Sequence, residues 1–234
     1  MFSKSAELYD RIYFEFKDYE TEARKINERI QSELPFAQTL LDVACGTGEH
    51  AKKLCSQYGY RVDGIDLNND FVYLARQKNL QGDFYCADMV DFDLGRPYDV
   101  VMCLFSSIGY VRTLERVESS LKRFKAHTKS GGLILVEPWF TPDEITSEKI
   151  YLNTAEAQNL SIARMGYSQV RDRISILHFD YLIGRPGNID HVTEIHELGL
   201  FTVDEIKQSF KNAELDVVYD EQGLSGRGLY IAKT

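Results

Sequence analysis

Two glycines, Gly46 and Gly48, stand between the apolar run Thr39 to Ala44 and a helix-forming stretch, in the segment LLDVACGTGEHA at 40–51. Glycine lets a chain turn sharply and a ligand approach the backbone, and the helix that follows aims its N–H groups at that ligand. Asp66 comes 20 residues after Gly46, at the end of the next apolar run, where a carboxylate can hold both hydroxyls of a ribose. Asp88 and Met89 close a third run, and a carboxylate beside a thioether can frame an adenine ring. Taken singly, the glycines read as a tight turn and either aspartate as a helix N-cap. Taken together, they describe a site for an adenosine-containing cofactor.

A dinucleotide and S-adenosylmethionine both suit such a site, and GxGxxA at 46–51 fits either. Asp42 separates them. A carboxylate four residues before Gly46 lies beside the loop, where it repels a pyrophosphate but attracts the cationic amino group of a methionine moiety. No Lys or Arg lies between Gly46 and Gly48 to offset phosphate charge. The expected cofactor is S-adenosylmethionine. No metal is expected, because Cys45, Cys55, Cys86 and Cys103 lack CxxC spacing and fall in apolar segments, which predicts buried thiols.

Alternating elements would bring these residues to one edge. Ala23, Ile26, Ile30 and Leu34 recur at helical spacing and stop before Pro35. Strand 39–44, helix 48–58, strand 61–65, helix 71–79 and strand 83–87 follow, then strand 98–105, a helix with Leu114, Val117, Leu121 and Phe124 on one stripe, and strand 133–136. Strands separated by helices make a parallel sheet with right-handed crossovers. From Ile162 to Leu200 the period changes to two, and GRPGN at 184–188 marks a turn, so this stretch predicts antiparallel hairpins lying over the sheet. A helix starts at Thr202, which forms a capping box with Glu205 while Phe201 and Ile206 form a hydrophobic staple. Strands 215–219 and 229–232 then complete the sheet.

The 234 residues are 44% hydrophobic, and 27 basic against 36 acidic side chains leave a net charge of −9. That length supports one substantial core. A net negative surface repels phosphate backbones, so nucleic acid is not an expected partner. The longest interior apolar run, Val100 to Phe105, has six residues, against the ~20 needed to span a bilayer. The opening MFSKSAELYD lacks the apolar region of a secretory signal, which predicts a cytoplasmic protein with no membrane partner. Within the acidic chain, residues 160–187 carry four arginines and two aspartates, a patch of +2 expected to meet an anionic acceptor. Exposed hairpin edges could pair with a second copy, which makes a homodimer a candidate assembly.

DVACGTG at 42–48, GIDLN at 64–68, ADM at 87–89 and YDVV at 98–101 resemble motifs of the class I S-adenosylmethionine-dependent methyltransferases. More narrowly, KDY at 17–19, FSSIGY at 105–110, VEPWF at 136–140 and SGRGL at 225–229 resemble the N,N-dimethyltransferases of nucleotide-linked deoxyamino sugars, over nearly the whole chain from Tyr9. The resemblance implies an α/β, Rossmann-like, seven-stranded methyltransferase fold, a mostly parallel sheet with helices on both faces and an antiparallel β insertion over the active site. It implies one domain over 1–234, with an N-terminal helical lid segment at 1–38 and a β-rich, substrate-covering insertion at 140–201. The cofactor set it implies is Tyr19, Asp42, Ala44, Gly46, Gly48, Asp66, Leu67, Asp88, Met89 and Leu104. Tyr9, Tyr13, Tyr110, Trp139, Arg164 and Arg227 would face the acceptor. The chain departs from the family at one position, where a His commonly follows SSIG and Tyr110 stands here.

Methyl transfer to nitrogen needs a neutral amine held in line with the sulfonium methyl and shielded from water. An amine arriving protonated must lose a proton, and Tyr9, Tyr13, Tyr110, His178, His191 and His196 are the candidate acceptors. A nucleotide diphosphate calls for guanidinium groups, and Arg164, Arg171, Arg173, Arg185 and Arg227 supply them. Arg227 leads, because Gly226 and Gly228 allow close backbone approach. The predicted activity is therefore N-methylation of a small amine such as a nucleotide-linked amino sugar. Alternatives are another small acceptor (amino acid, carboxylate or hydroxyl), an NAD-dependent oxidoreductase and a noncatalytic cofactor-binding regulator.

Overall fold

The structure, a computed structural model, describes residues 6–15, 17–78, 81–145 and 149–234. Helices α1 (Ala6–Phe14) and α2 (Tyr19–Glu33) precede the sheet. Helix α2 starts four residues before Ala23, because Asp18 caps it by accepting from the Thr21 N–H at 3.0 Å. Then come β1 (Thr39–Val43), α3 (Glu49–Tyr58), β2 (Arg61–Asp66), α4 (Asn69–Lys78), β3 (Phe84–Cys86) and β4 (Tyr98–Cys103). A 3₁₀ turn (Ser107–Val111), α5 (Leu114–Ala126) and β5 (Thr128–Val136) complete the first part. Four long strands follow: β6 (Ile150–Ala157), β7 (Leu160–Arg171), β8 (Ile174–Arg185) and β9 (Asn188–Gly199). Helix α6 (Val203–Asn212), β10 (Asp216–Asp220) and β11 (Leu229–Lys233) end the chain.

Seven strands form one sheet in the order β10-β11-β5-β4-β1-β2-β3, with only β11 running against its neighbours. The pairing sets Val43 level with both Ile65 and Cys103, so β1, β2 and β4 end on one line and release their loops side by side. Alternation along β1 sends Leu40 into a core with Ile26, Val62 and Met102, and Leu41 into a core with Val101, Phe124 and Phe210. Both faces are thus buried under helices, as an apolar parallel strand requires. The capping box at Thr202 is present: its hydroxyl accepts from the Glu205 N–H at 3.2 Å, and the Glu205 carboxylate accepts from the Thr202 N–H at 2.8 Å.

Strands β6 to β9 form a separate antiparallel sheet in sequence order, with Pro186 and Gly187 at the β8–β9 turn. It begins at Ile150, earlier than the alternation from Ile162 suggested. Its inner face presents Ile162, Phe179, Tyr181 and Ile183, and α1 packs Leu8 and Ile12 against them in a third core. Two expectations change. Cys86 is exposed, because the sheet ends at β3 and the outer positions of an edge strand are left uncovered, and Cys55 is half-buried on α3, where its thiol donates to the Tyr60 carbonyl at 2.8 Å. Strand β4 stops at Cys103 rather than Phe105, because Phe105 and Ser106 take left-handed backbone angles, φ 52° and 62°.

Candidate active site

A cavity of about 710 Å3 opens where β1, β2 and β4 end, roofed by α1 and by the inner face of the antiparallel sheet. A smaller space of about 40 Å3 adjoins it, and Tyr9, Ala44, Gly46 and Phe105 line both. Asp66 organises this edge. One carboxylate oxygen accepts from the Gly46 N–H at 2.8 Å and the other from the Asn68 N–H at 2.8 Å. Burial raises its pKa against these bonds. Leu67, Asp88 and Met89 line the large cavity beyond it, where Asp88 pairs with Arg116 at 3.1 Å.

Tyr19, Asp42 and Leu104 line the small space. Asp42 is buried, and burial, with Asp66 nearby, pushes its carboxyl up to about 8. Its Oδ2 has no hydrogen-bond partner among the described residues. A buried carboxylate oxygen left open in a cavity wall suits a cationic group, which would restore the ionised form. The two glycines divide their work. A Cβ on Gly46 would meet nothing within 4 Å, so its surroundings are open to a ligand, although φ +55° favours glycine there. Gly48 lines neither space: at φ +79° it caps α3, and a Cβ would stand 3.0 Å from the Cβ of Ala75 on α4.

The N-terminal segment closes this end with a buried ionic cluster. Glu22 accepts from Lys17 at 2.7 Å and sits 2.7 Å from Nε2 of His50. Burial pushes the Glu22 carboxyl up, but His50 and Lys17 outweigh it and hold it down to about 2. Asp10 on α1 accepts from Lys78 on α4 and from the Thr47 hydroxyl at 2.5 Å, fastening the roof to the glycine loop.

Aromatic residues crowd the large cavity. Tyr9 and Tyr13 lie ring to ring at 4.3 Å, Tyr9 contacts Phe71 at 4.9 Å and Tyr13 meets Phe105 edge-on at 5.3 Å. Tyr110 and Trp139 line the cavity with them. Burial raises the phenol pKa of Tyr9, Tyr13 and Tyr110. All three stay protonated near neutrality, so none can serve as an ionised base. The Tyr110 hydroxyl lies 3.1 Å from Nδ1 of His196, a buried β9 residue that also lines the cavity.

The arginines separate sharply. Arg227 lines the cavity, with its guanidinium 5.3 Å from the centre of the Phe105 ring, and its Nε lacks a partner among the described residues, as does Nε1 of Trp139. Lys17 covers the same ring at 3.7 Å. Arg164 is 5% exposed but stands behind the cavity wall, 3.3 Å from the Tyr13 hydroxyl, 2.8 Å from Asn153 Oδ1 and 4.6 Å from the Phe179 ring. The basic patch also dissolves. Arg173 bonds Glu205 and the Leu200 carbonyl, Arg185 bonds Asp190, and Arg171 is exposed. None of these three lines the cavity.

Glu137, inside VEPWF at 136–140, was not among the expected site residues. Fully buried, it accepts from the Phe105 N–H at 2.7 Å and from the Ser225 hydroxyl at 2.6 Å, with Arg227 Nη2 at 3.6 Å. It thereby ties the left-handed turn after β4 to the loop that carries Arg227. A glutamate continuing the buried run LILV was the available signal, since an unpaired charge there would be costly.

A family model described as a methyltransferase domain matches residues 40–132. The dTDP-3-amino-3,6-dideoxy-α-D-glucopyranose N,N-dimethyltransferase of Streptomyces fradiae is 36% identical over 227 residues, covering 96% of this chain and 89% of that protein. The chain belongs to the sugar N,N-dimethyltransferase family of S-adenosylmethionine-dependent methyltransferases. The crystal structure of DesVI from Streptomyces venezuelae superposes on this methyltransferase with a TM-score of 0.92 at 33% identity, covering 97% of both chains. CalS10 from Micromonospora echinaspora, an amino pentose methyltransferase solved with S-adenosylmethionine bound, matches with a TM-score of 0.87 at 28% identity, covering 97% of this chain and 96% of that one. The seven-stranded methyltransferase fold and the cofactor class expected from the motifs are both met.

Proposed function

We propose that this enzyme N-methylates the amino group of a nucleotide-linked deoxyamino sugar. The observation that carries the reading is the acceptor end of the cavity, where a wall of Tyr9, Tyr13, Tyr110 and Trp139 meets Arg227 with its partnerless Nε. Aromatic faces suit a sugar ring, and a guanidinium suits a phosphate. The dTDP-linked amino sugar named for the Streptomyces fradiae relative supports the same class.

In this reading Asp42 takes the amino group of the methionine moiety, Asp66 the ribose and Asp88 with Met89 the adenine. When bound, S-adenosylmethionine supplies an electrophilic methyl on its sulfonium. The chain's part is chiefly placement: the roof excludes water while the tyrosines hold the amine in line with that methyl. Residues 1–38 and 140–201 would cover a single methyltransferase domain. Incubation with S-adenosylmethionine and dTDP-3-amino-3,6-dideoxy-α-D-glucopyranose, read by mass spectrometry, tests this. A gain of methyl groups is expected, and methylation only of phosphate-free amines would overturn the nucleotide-sugar reading.

We further infer that a second copy covers the outer face of the β6–β9 sheet, where Ile150, Leu152, Met165, Leu182 and Ile195 are exposed. Light scattering at micromolar concentration should give a dimer, and a monomer would remove the inference. No helix among the described residues is long and apolar enough to cross a membrane. A cytoplasmic location and the lack of a nucleic-acid partner, which the charge of −9 favours, belong to the same reading. Retention on immobilised DNA at physiological salt would contradict the second.

A further inference from the structure

Among the described residues no carboxylate lines the cavity beside Tyr110 and Trp139, yet one histidine does. His196 is 1% exposed, lines the cavity, and places Nδ1 3.1 Å from the Tyr110 hydroxyl. Its Nε2 lies 3.6 Å from Oε2 of Glu194, itself buried on the same strand. The other histidines of the antiparallel sheet are placed differently. His178 stacks on Tyr167 at 4.5 Å, and His191 pairs with Asp180 at 2.8 Å on an exposed face.

We propose that Tyr110 and His196 form a proton relay, in which Tyr110 takes the proton from the acceptor's ammonium group and passes its own to His196. The idea rests on the amine-methylating reading above. The ammonium N–H bond breaks and its proton joins the Tyr110 oxygen, while the Tyr110 O–H proton moves to Nδ1 of His196. The electron pair of the broken N–H bond stays on nitrogen as the lone pair that attacks. Tyr110 ends as it began, a phenol, and His196 ends as an imidazolium whose Nε2 lies 3.6 Å from the Glu194 carboxylate. Burial keeps Tyr110 from ionising, which suits a conduit and excludes a terminal base.

The groups around this pair come from several elements. Tyr110 belongs to the 3₁₀ turn and Glu194 to β9, while β8 contributes the Phe179 ring, 5.5 Å from His196, and Tyr181, close to both Tyr110 and Glu194. Tyr13 approaches from α1, and Arg164 of β7 lies behind it.

Initial rates with dTDP-3-amino-3,6-dideoxy-α-D-glucopyranose from about pH 6 to about pH 10 separate the relay from a packing role, because a relay matters only while the amine arrives protonated. His196→Gln should lose about 30-fold in kcat/KM below the amine's own pKa, and return to within about threefold of wild type above it. Tyr110→Phe and the double variant should match His196→Gln, since the two residues act as one unit. A His196→Gln profile that tracks wild type throughout overturns the relay. Nitrogen NMR of the ligand-free enzyme provides a test independent of the acceptor: a bare Nδ1 with the proton on Nε2 is expected, and the reverse tautomer overturns the relay because Tyr110 could not donate. Failure of the wild type to methylate any amine sinks the acceptor reading instead, leaving the tautomer to decide whether the Tyr110–His196 bond can carry a proton.

Discussion

The two ends of the cavity are built by opposite means. The cofactor end is made of short loops at the level ends of β1 and β2, where Gly46, Asp66 and Asp42 are fixed by backbone bonds and by burial. The acceptor end gathers side chains from α1, the 3₁₀ turn, β9 and the loop before β11, none of them neighbours in sequence. One end is preorganised by the sheet and the other is assembled by packing. Changes at the first should therefore strike cofactor affinity, and changes at the second the acceptor's KM.

The strongest challenge to that division is Asp66→Ala. Losing two charge-assisted backbone bonds should weaken S-adenosylhomocysteine binding by about 100-fold in calorimetry, and unchanged affinity would end the distinction. Gly48→Ala tests whether the loop's second glycine serves packing. The left-handed backbone and the 3.0 Å approach to Ala75 should cost about 2 kcal/mol in denaturant unfolding. The ligand affinity of the folded fraction should hold. Arg227→Ala should raise the acceptor's KM about tenfold while S-adenosylhomocysteine affinity stays within about twofold; equal losses in both would merge the two ends.

The smallest effect sharpens the cofactor end through protons. With its carboxyl near 8, Asp42 is mostly protonated in the ligand-free protein at pH 7. A bound ammonium favours the ionised form, so binding there should release on the order of one proton, read from calorimetry in buffers of different ionisation enthalpy. Asp42→Asn should release almost none. In the ligand-free protein the sign is the reverse of a stabilising carboxylate. The folded value lies above the unfolded ~3.9, so stability falls as pH rises from about 4 to about 8, and Asp42→Asn removes that part of the slope.

Sequence reasoning reached the cofactor end because its spacing is local: a glycine loop and an aspartate 20 residues later encode two strand ends of one parallel sheet. It read the acceptor end less well. Arg164 was expected at the acceptor as a guanidinium for a diphosphate, but spacing does not say what covers a strand residue, and Tyr13 from a helix 151 residues away stands close against it. Gly48 shares a motif with Gly46 yet faces a helix, a distinction set by the packing of α4. His196 could not be told from His178 and His191, because the face that α1 and the 3₁₀ turn cover is a tertiary fact. Cys86 misled for the same reason: nothing local announces which strand is the last.

Ala44, Phe105 and Ser106 all hold left-handed backbone angles, φ 57°, 52° and 62°, at the sheet edge that faces the cavity. Each conformation costs of order 1 kcal/mol in a residue with a side chain. An engineer screening only for heat resistance would be drawn to this corner, because Phe105→Gly relaxes the backbone. The same change deletes the ring that Lys17 and Arg227 flank. Durability and turnover thus compete at Phe105, and a stabilised catalyst is better sought on the far side of the sheet.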